Sequence, residues 1–216
     1  DLYYLDQETS VDPTAPNDGL EGRIMPRLAI DWRYPFVRQT GTVRQLIEPV
    51  ALAVVAPNGG NPEDIPDEES TVFELDDTNI FSHDRFAGID RVEGGPRVVY
   101  GVKVGLFGPT LGSIAAFLGQ SYRFHRDRDL EESKLLEEDF SDYVGRIDVR
   151  PNEYIDLIYR FRFSESDFDA RSGAVTFSIG PPAFKLSGDY FFIDDATAAT
   201  NSERKEELTI GFSSRI

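Results

Sequence analysis

The sequence contains no cysteine, so disulfides and thiolate metal sites are excluded and the redox compartment cannot be read from it. It has only two histidines, His83 and His125, which lie far apart in polar segments and argue against a histidine-based metal or catalytic site. No run of about 18 apolar residues occurs, so no transmembrane helix is expected; a barrel of strands produces no such run, and that architecture stays open. Basic residues are scarce, 22 Lys and Arg against 39 Asp and Glu, giving a formal charge of −17 and a pI near 4.4. Such a surface repels DNA and RNA, so no nucleic-acid partner is expected. It suits divalent cations or cationic partners, although acidic solvated loops account for the same balance. The chain opens at Asp1 without Met or leader, so a removed signal or an excerpt of a longer protein is expected; Leu208, Ile210 and Phe212, alternating almost to the last residue, favour the excerpt. There is no nucleophile elbow, phosphate loop or histidine dyad, and neither an enzyme nor a cofactor is expected.

What the chain has is alternation. Between 154 and 163, Ile155, Leu157, Tyr159, Phe161 and Phe163 fall on one face, and Tyr154, Asp156, Ile158, Arg160 and Arg162 on the other. A period of two marks a β-strand with one apolar and one wetter face. A strand crossing a bilayer at a tilt needs roughly 9–11 residues, which this stretch supplies, although a soluble sandwich strand looks alike. The 216 residues suffice for one β-rich domain or a piece of a larger one.

Nine strands are expected, over 23–36, 43–56, 96–107, 112–124, 142–150, 154–163, 173–180, 183–193 and from about 204. Pro26 and Pro49 each remove a ladder donor, so bulges or local irregularity are expected there. The connections alternate in length. Those at 39–41, 108–111, 151–152 and 180–182 are short; those at 57–95, 125–141, 166–172 and 194–203 are long or polar. A sandwich has no reason to place every long loop at one end, whereas outer-membrane barrels have short periplasmic turns and longer extracellular loops. Aromatics at strand ends, such as Trp32, Tyr34 and Phe36, fit interfacial girdles as well as ordinary strand enrichment. An odd strand count and unpaired edges are both foreign to a complete bacterial barrel. The expected fold is therefore all-β: an antiparallel transmembrane β-barrel sector of about nine strands, an open curved sheet belonging to a larger barrel.

Three stretches carry a family resemblance: Arg23-Ile24-Met25-Pro26-Arg27-Leu28-Ala29-Ile30-Asp31; Leu46-Ile47-Glu48-Pro49-Val50-Ala51 with Val54-Val55-Ala56-Pro57; and Asp76-Asp77-Thr78-Asn79-Ile80-Phe81 leading to Asp84-Arg85-Phe86-Ala87-Gly88-Ile89-Asp90-Arg91-Val92. With Gly119-Gln120-Ser121-Tyr122, they resemble the barrel domain of the LptD (OstA) family in order and spacing from about 22 to 163. The resemblance implies lipopolysaccharide transport and assembly in the bacterial outer membrane. It implies as partners the LptE lipoprotein plug, a periplasmic lipopolysaccharide-bridge protein reached through an N-terminal jellyroll, lipopolysaccharide itself and outer-membrane lipids. It divides the chain into a lead-in, 1–22, and a partial barrel domain, 23–216, with a long extracellular loop at about 57–95. The jellyroll has no counterpart here and the strands resemble a middle sector, so lateral-gate residues and the disulfides of some members are not carried over.

Two groups of side chains are candidates. Arg146, Asp148, Asp156, Arg160 and Arg162 lie on neighbouring strands and would line the lumen, as a wall beside the sugar path or as cross-strand pairs holding register. Asp76, Asp77, Asn79, Arg85, Asp90 and Arg91 belong to the long loop, whose first part also carries Glu63, Asp64, Asp67, Glu68, Glu69 and Glu74. Its carboxylates could share divalent cations with phosphates, but the spacing is not that of an EF-hand, and local hydrogen bonds or pairing of Asp76 and Asp77 with Arg85 and Arg91 is expected instead. Two other functions stay open, a generic outer-membrane porin or channel and a soluble carbohydrate-binding β-sandwich.

Overall fold

The computed structural model describes residues 2–5, 19–58, 61, 75–86, 88, 91–125, 139–181, 183–194 and 204–214. The strands are β1 (Leu2–Leu5), β2 (Gly19–Gly22), β3 (Leu28–Arg33), β4 (Phe36–Thr40), β5 (Val43–Val55), β6 (Arg97–Gly108), β7 (Gly112–Arg123), β8 (Tyr143–Asn152), β9 (Ile155–Phe163), β10 (Ala170–Ile179), β11 (Phe184–Asp194) and β12 (Arg204–Ser214). β1 and β2 pair with each other, within the lead-in where no strands were expected. The other ten form a single antiparallel sheet in which neighbours in sequence are neighbours in space, with β3 and β4 at one end and β12 at the other. The ends do not pair with each other, so the sheet is open. Among the described residues no second sheet packs face to face on this one, which rules out the sandwich reading, since a sandwich needs apolar faces packed against each other.

Of the single strand expected over 23–36, only β3 (28–33) forms as such: residues 23–27 are not strand, and a separate β4 runs from Phe36 to Thr40, into the turn expected at 39–41. The break between β3 and β4 has a proline cause. Both pair with β5 in one continuous register, Arg33 opposite Val50 and Phe36 opposite Ile47. Between them Tyr34 donates its N–H to the Pro49 carbonyl at 3.2 Å, but Pro49 has no N–H to return and Pro35 has none to offer. The irregularity expected at Pro49 is thus a gap in pairing, not a bulge. Bulges occur elsewhere, between Val149 and Asn152 and between Ala170 and Ser172. The 166–172 link is also shorter than expected: β10 already begins at Ala170, and Ser164 N–H bonds to the Asp169 carbonyl across a turn in which Phe168 has φ 59°.

Register sorts the side chains into two faces. Phe36, Ile47, Val104, Ala116, Ile147, Tyr159, Val175, Tyr190 and Leu208 stand directly opposite one another in a row across the whole sheet, and all are apolar or aromatic. Phe36, Ile47, Val104 and Leu208 are exposed in that row, although they are large and apolar. Of the residues expected on this face of β9, Leu157 is exposed while Tyr159, Phe161 and Phe163 are half-buried. Their rings lie side by side, 5.5 and 5.1 Å apart, and shield one another. The ring of Phe161 also lies over Gly145, as Phe192 lies over Gly173 and Phe177 over Gly188. Bulky rings covering bare backbone keep the outer face apolar and the ladder dry.

The next row, Glu48, Lys103, Phe117, Arg146, Arg160, Ala174, Phe191 and Glu207, points the other way and carries the charge. The buried core also lies on this side. Leu52, Val54, Val99 and Val144 from the sheet enclose Leu75 and Ile80 of the 57–95 link, with Ala29, Phe81 and Phe117 packed around them. The described residues of the link between 75 and 95 therefore form a strap folded onto the polar face. Its base is closed by Gly95 N–H donating to the Pro57 carbonyl at 2.8 Å.

Candidate functional site

The strap is held to the sheet at two levels. At the rim, Glu93 has a fully buried side chain, and three arginines converge on it: Arg85 from the strap, Arg97 from the start of β6 and Arg123 from the end of β7. Arg85 Nε donates to Glu93 Oε2 at 2.8 Å. Arg97 also donates to the carbonyls of Ser82 and His83 at 2.8 and 2.7 Å, and Arg123 to that of Gly94 at 3.0 Å. Burial alone would push the Glu93 carboxyl up, but Arg85, Arg97 and Arg123 outweigh it and hold the pKa at about 2. Register places Arg97 directly opposite Arg123, so like charges face each other and Glu93 is what makes that tolerable. Around this centre Asp84 accepts from Arg27 at 2.8 Å, and Asn61 bridges Arg23 to the backbone of Val92.

Deeper on the polar face, the strap turns tightly. Asp76 Oδ1 accepts from the N–H groups of Thr78 and Asn79 at 2.8 and 2.9 Å, and Asn79 Oδ1 accepts from Asp76 N–H at 2.9 Å. These are the local bonds the sequence led one to expect. The expected pairing of Asp77 with Arg85 or Arg91 is not what forms: Asp77 points at the wall, 3.3 Å from Arg160 Nε and 3.7 Å from Arg146 Nη1. Arg146 and Arg160 are cross-strand neighbours, so the same logic recurs, one strap carboxylate between two opposed arginines. Here burial has the largest influence and outweighs the arginines, so the Asp77 carboxyl lies above its ordinary range.

The candidate residues thus divide. Arg146, Asp148 and Arg160 gather around Asp77, with Arg146 also bonded to Asp148 through both ends of its fork at 2.9 and 2.7 Å. Arg162 lies next along β9, 3.6 Å from Asp142. Asp156 stands apart near the short-turn end, paired with Arg150 at 3.0 Å. Arg85 joins the Glu93 cluster, Arg91 is half-buried, and Asp90 and the acidic run from Glu63 to Glu74 lie outside the described residues. Among the described residues no group of His, Cys, Asp or Glu is arranged to hold a metal ion. Glu93 and Arg123 were not legible as site residues. The one local signal was the spacing of Glu93 and Arg97, four apart across a Gly-Gly loop end.

A cavity of about 210 Å³ opens beside Asp77, between the strap and strands β9 to β11. Arg160, Arg162, Ser172, Ala174, Phe191 and Asp77 are among its lining residues.

The family model for LptD, described as LPS transport system D, matches residues 1–215. The LPS-assembly protein LptD of Hahella chejuensis (strain KCTC 2396) is 26% identical over 145 residues, which is 65% of this chain and 18% of that relative, so the chain spans a small part of the curated protein it matches. The open antiparallel sheet, its unbroken apolar row and the family match agree: the chain belongs to the LptD family and is a sector of an outer-membrane β-barrel.

Proposed function

We propose that this chain is part of the barrel wall through which lipopolysaccharide passes to the outer leaflet of the outer membrane. The observation that carries the reading is the nine-residue apolar row from Phe36 to Leu208 backed by a charged row, which gives one wall two solvents, lipid outside and a hydrated lumen inside. In this reading residues 23–216 are the partial barrel domain and 1–22 lead into it. Arg146, Asp148, Asp156, Arg160 and Arg162 line the lumen. The 57–95 loop, to which Asp76, Asp77, Asn79, Arg85, Asp90 and Arg91 belong, is the extracellular loop, and its described residues between 75 and 95 fold onto the lumen face. The partners are the LptE lipoprotein as lumen plug, a periplasmic lipopolysaccharide-bridge protein docking outside this segment, and the surrounding lipids. The role asks for no chemistry at this wall, only an apolar exterior, a polar interior and an anchored loop.

Depletion of the full-length protein in its own bacterium tests the reading. Loss of surface lipopolysaccharide is expected. Unchanged surface lipopolysaccharide with altered uptake of small solutes would replace it with the porin reading.

A further inference from the structure

We propose that the cavity beside Asp77 binds a single anionic sugar residue: Arg160 and Arg162 take its carboxylate or phosphate, Phe191 stacks on the apolar face of the ring, and Asp77 accepts from its hydroxyls. The inference rests on the transport reading and gives it a defined subsite. At about 210 Å³ the cavity is smaller than sites for drug-sized ligands, roughly 300–1,000 Å³, and takes one ring rather than a chain. Its floor is made of small side chains, because Ala174 stands directly between Arg160 and Phe191 and Ser172 directly between Arg162 and Ile193.

Three features of the walls point to the ligand. Arg162 Nε is buried and has no hydrogen-bond partner, since Asp142 at 3.6 Å is beyond bonding reach. Asp77 Oδ1 is likewise buried without a hydrogen bond, and its contact with Arg160 at 3.3 Å is electrostatic only. Buried polar groups in native proteins are ordinarily satisfied, so one donor and one acceptor left open beside the same cavity mark a place for a polar molecule. Two guanidinium forks suit a carboxylate or phosphate. Phe191 is the third feature: it stands in the charged row, between Ala174 and Glu207, yet remains exposed over 37% of its surface. An aromatic platform beside cations favours a sugar ring over a bare anion.

The test uses the full-length barrel in detergent with its plug lipoprotein, glucose 6-phosphate as probe, and saturation-transfer NMR as readout. Transfer to the sugar ring protons is expected, with glucose and inorganic phosphate each competing more weakly than the intact probe. Arg162→Gln should weaken binding about tenfold or more, the scale of losing one charged hydrogen bond, and Phe191→Ala, which removes the stacking face, should also weaken it. Ala174→Leu, which fills the floor and removes no charge, should abolish binding while the barrel keeps its folded mobility on SDS gels. No transfer, or transfer unaffected by Ala174→Leu, overturns the subsite. Inorganic phosphate competing as well as the sugar phosphate reduces it to an anion site and overturns the sugar assignment. A negative result alongside loss of surface lipopolysaccharide on depletion removes the subsite alone; intact surface lipopolysaccharide on depletion removes the transport reading instead.

Discussion

Glu93 and Arg97 stand four residues apart with both side chains fully buried, and 3.2 Å separates Glu93 Oε2 from Arg97 Nη1. One lies in the strap and the other opens β6, so the contact is where the loop becomes part of the wall. Arg85 and Arg123 complete the arrangement, leaving Glu93 as the shared counter-ion of three buried cations. Removing it strands charge in a place water does not reach, and breaking a buried pair in this way costs about 3–5 kcal/mol. Glu93→Ala in the full-length protein should therefore lower the temperature at which the folded band is lost on SDS gels, and open the strap to protease. Glu93→Asp should recover part of the loss.

Acid should act oppositely at the two strap carboxylates. The Glu93 pKa falls from 4.5 to about 2 on folding, so its contribution is complete above about pH 4.5 and lost as pH drops towards 2. The Asp77 pKa rises on folding, so ionised Asp77 works against the folded state at neutral pH, and protonation as pH falls through its raised pKa relieves the cost. Asp77→Asn should accordingly leave neutral-pH stability unchanged or slightly higher and flatten its response to mild acid. Glu93→Gln should lower stability at neutral pH and remove the steep loss at strong acid. Thermal melts of the two variants across pH would measure both.

The ring of Phe161 occupies the space where a Gly145 side chain would be. A Cβ there would stand 2.3 Å from Phe161 Cζ and 2.8 Å from the Phe117 carbonyl oxygen. Gly145→Ala should destabilise the barrel by about 1–3 kcal/mol, the usual cost of overpacking. Combining it with Phe161→Leu should restore only part of the loss, because the backbone oxygen stays in place. Full restoration would show that the ring alone enforces the glycine.

Much of this architecture was readable because period-two alternation and turn residues are local signals. The strands from β5 to β12 fall close to where hydropathy and Gly or Pro punctuation place them. The break between β3 and β4 was not legible, because it depends on Pro35 and Pro49 lying almost opposite each other, which is a fact of pairing. The candidate arginines were found from their face of the strand, but their partner was not: Asp77 reaches Arg146 and Arg160 only because the strap folds inward, over a distance of more than sixty residues in sequence. The buried core was hidden for the same reason. Leu75 and Ile80 look like ordinary loop residues until Leu52 and Val99 meet them on the side of the sheet that carries the charge.

The two sides of β6 should respond differently to charge. Val104→Arg places a cation in the apolar row and should cost about 2–4 kcal/mol near the bilayer midplane. Lys103→Gln, one residue away on the other face, should stay within about 0.5 kcal/mol. Urea titration of the full-length barrel in lipid vesicles compares the two directly.

The central claim is that the row from Phe36 to Leu208 faces lipid. The segment has no native cysteine, so single cysteines at Val102, Lys103, Val104 and Leu106 can carry spin labels in the full-length protein, with any cysteines elsewhere replaced, reconstituted in liposomes. Labels at Val102, Val104 and Leu106 should collide with oxygen dissolved in the bilayer and be shielded from a water-soluble nickel chelate, with Lys103 showing the reverse. Equal access to the chelate at all four positions, or an inverted pattern, would contradict the account.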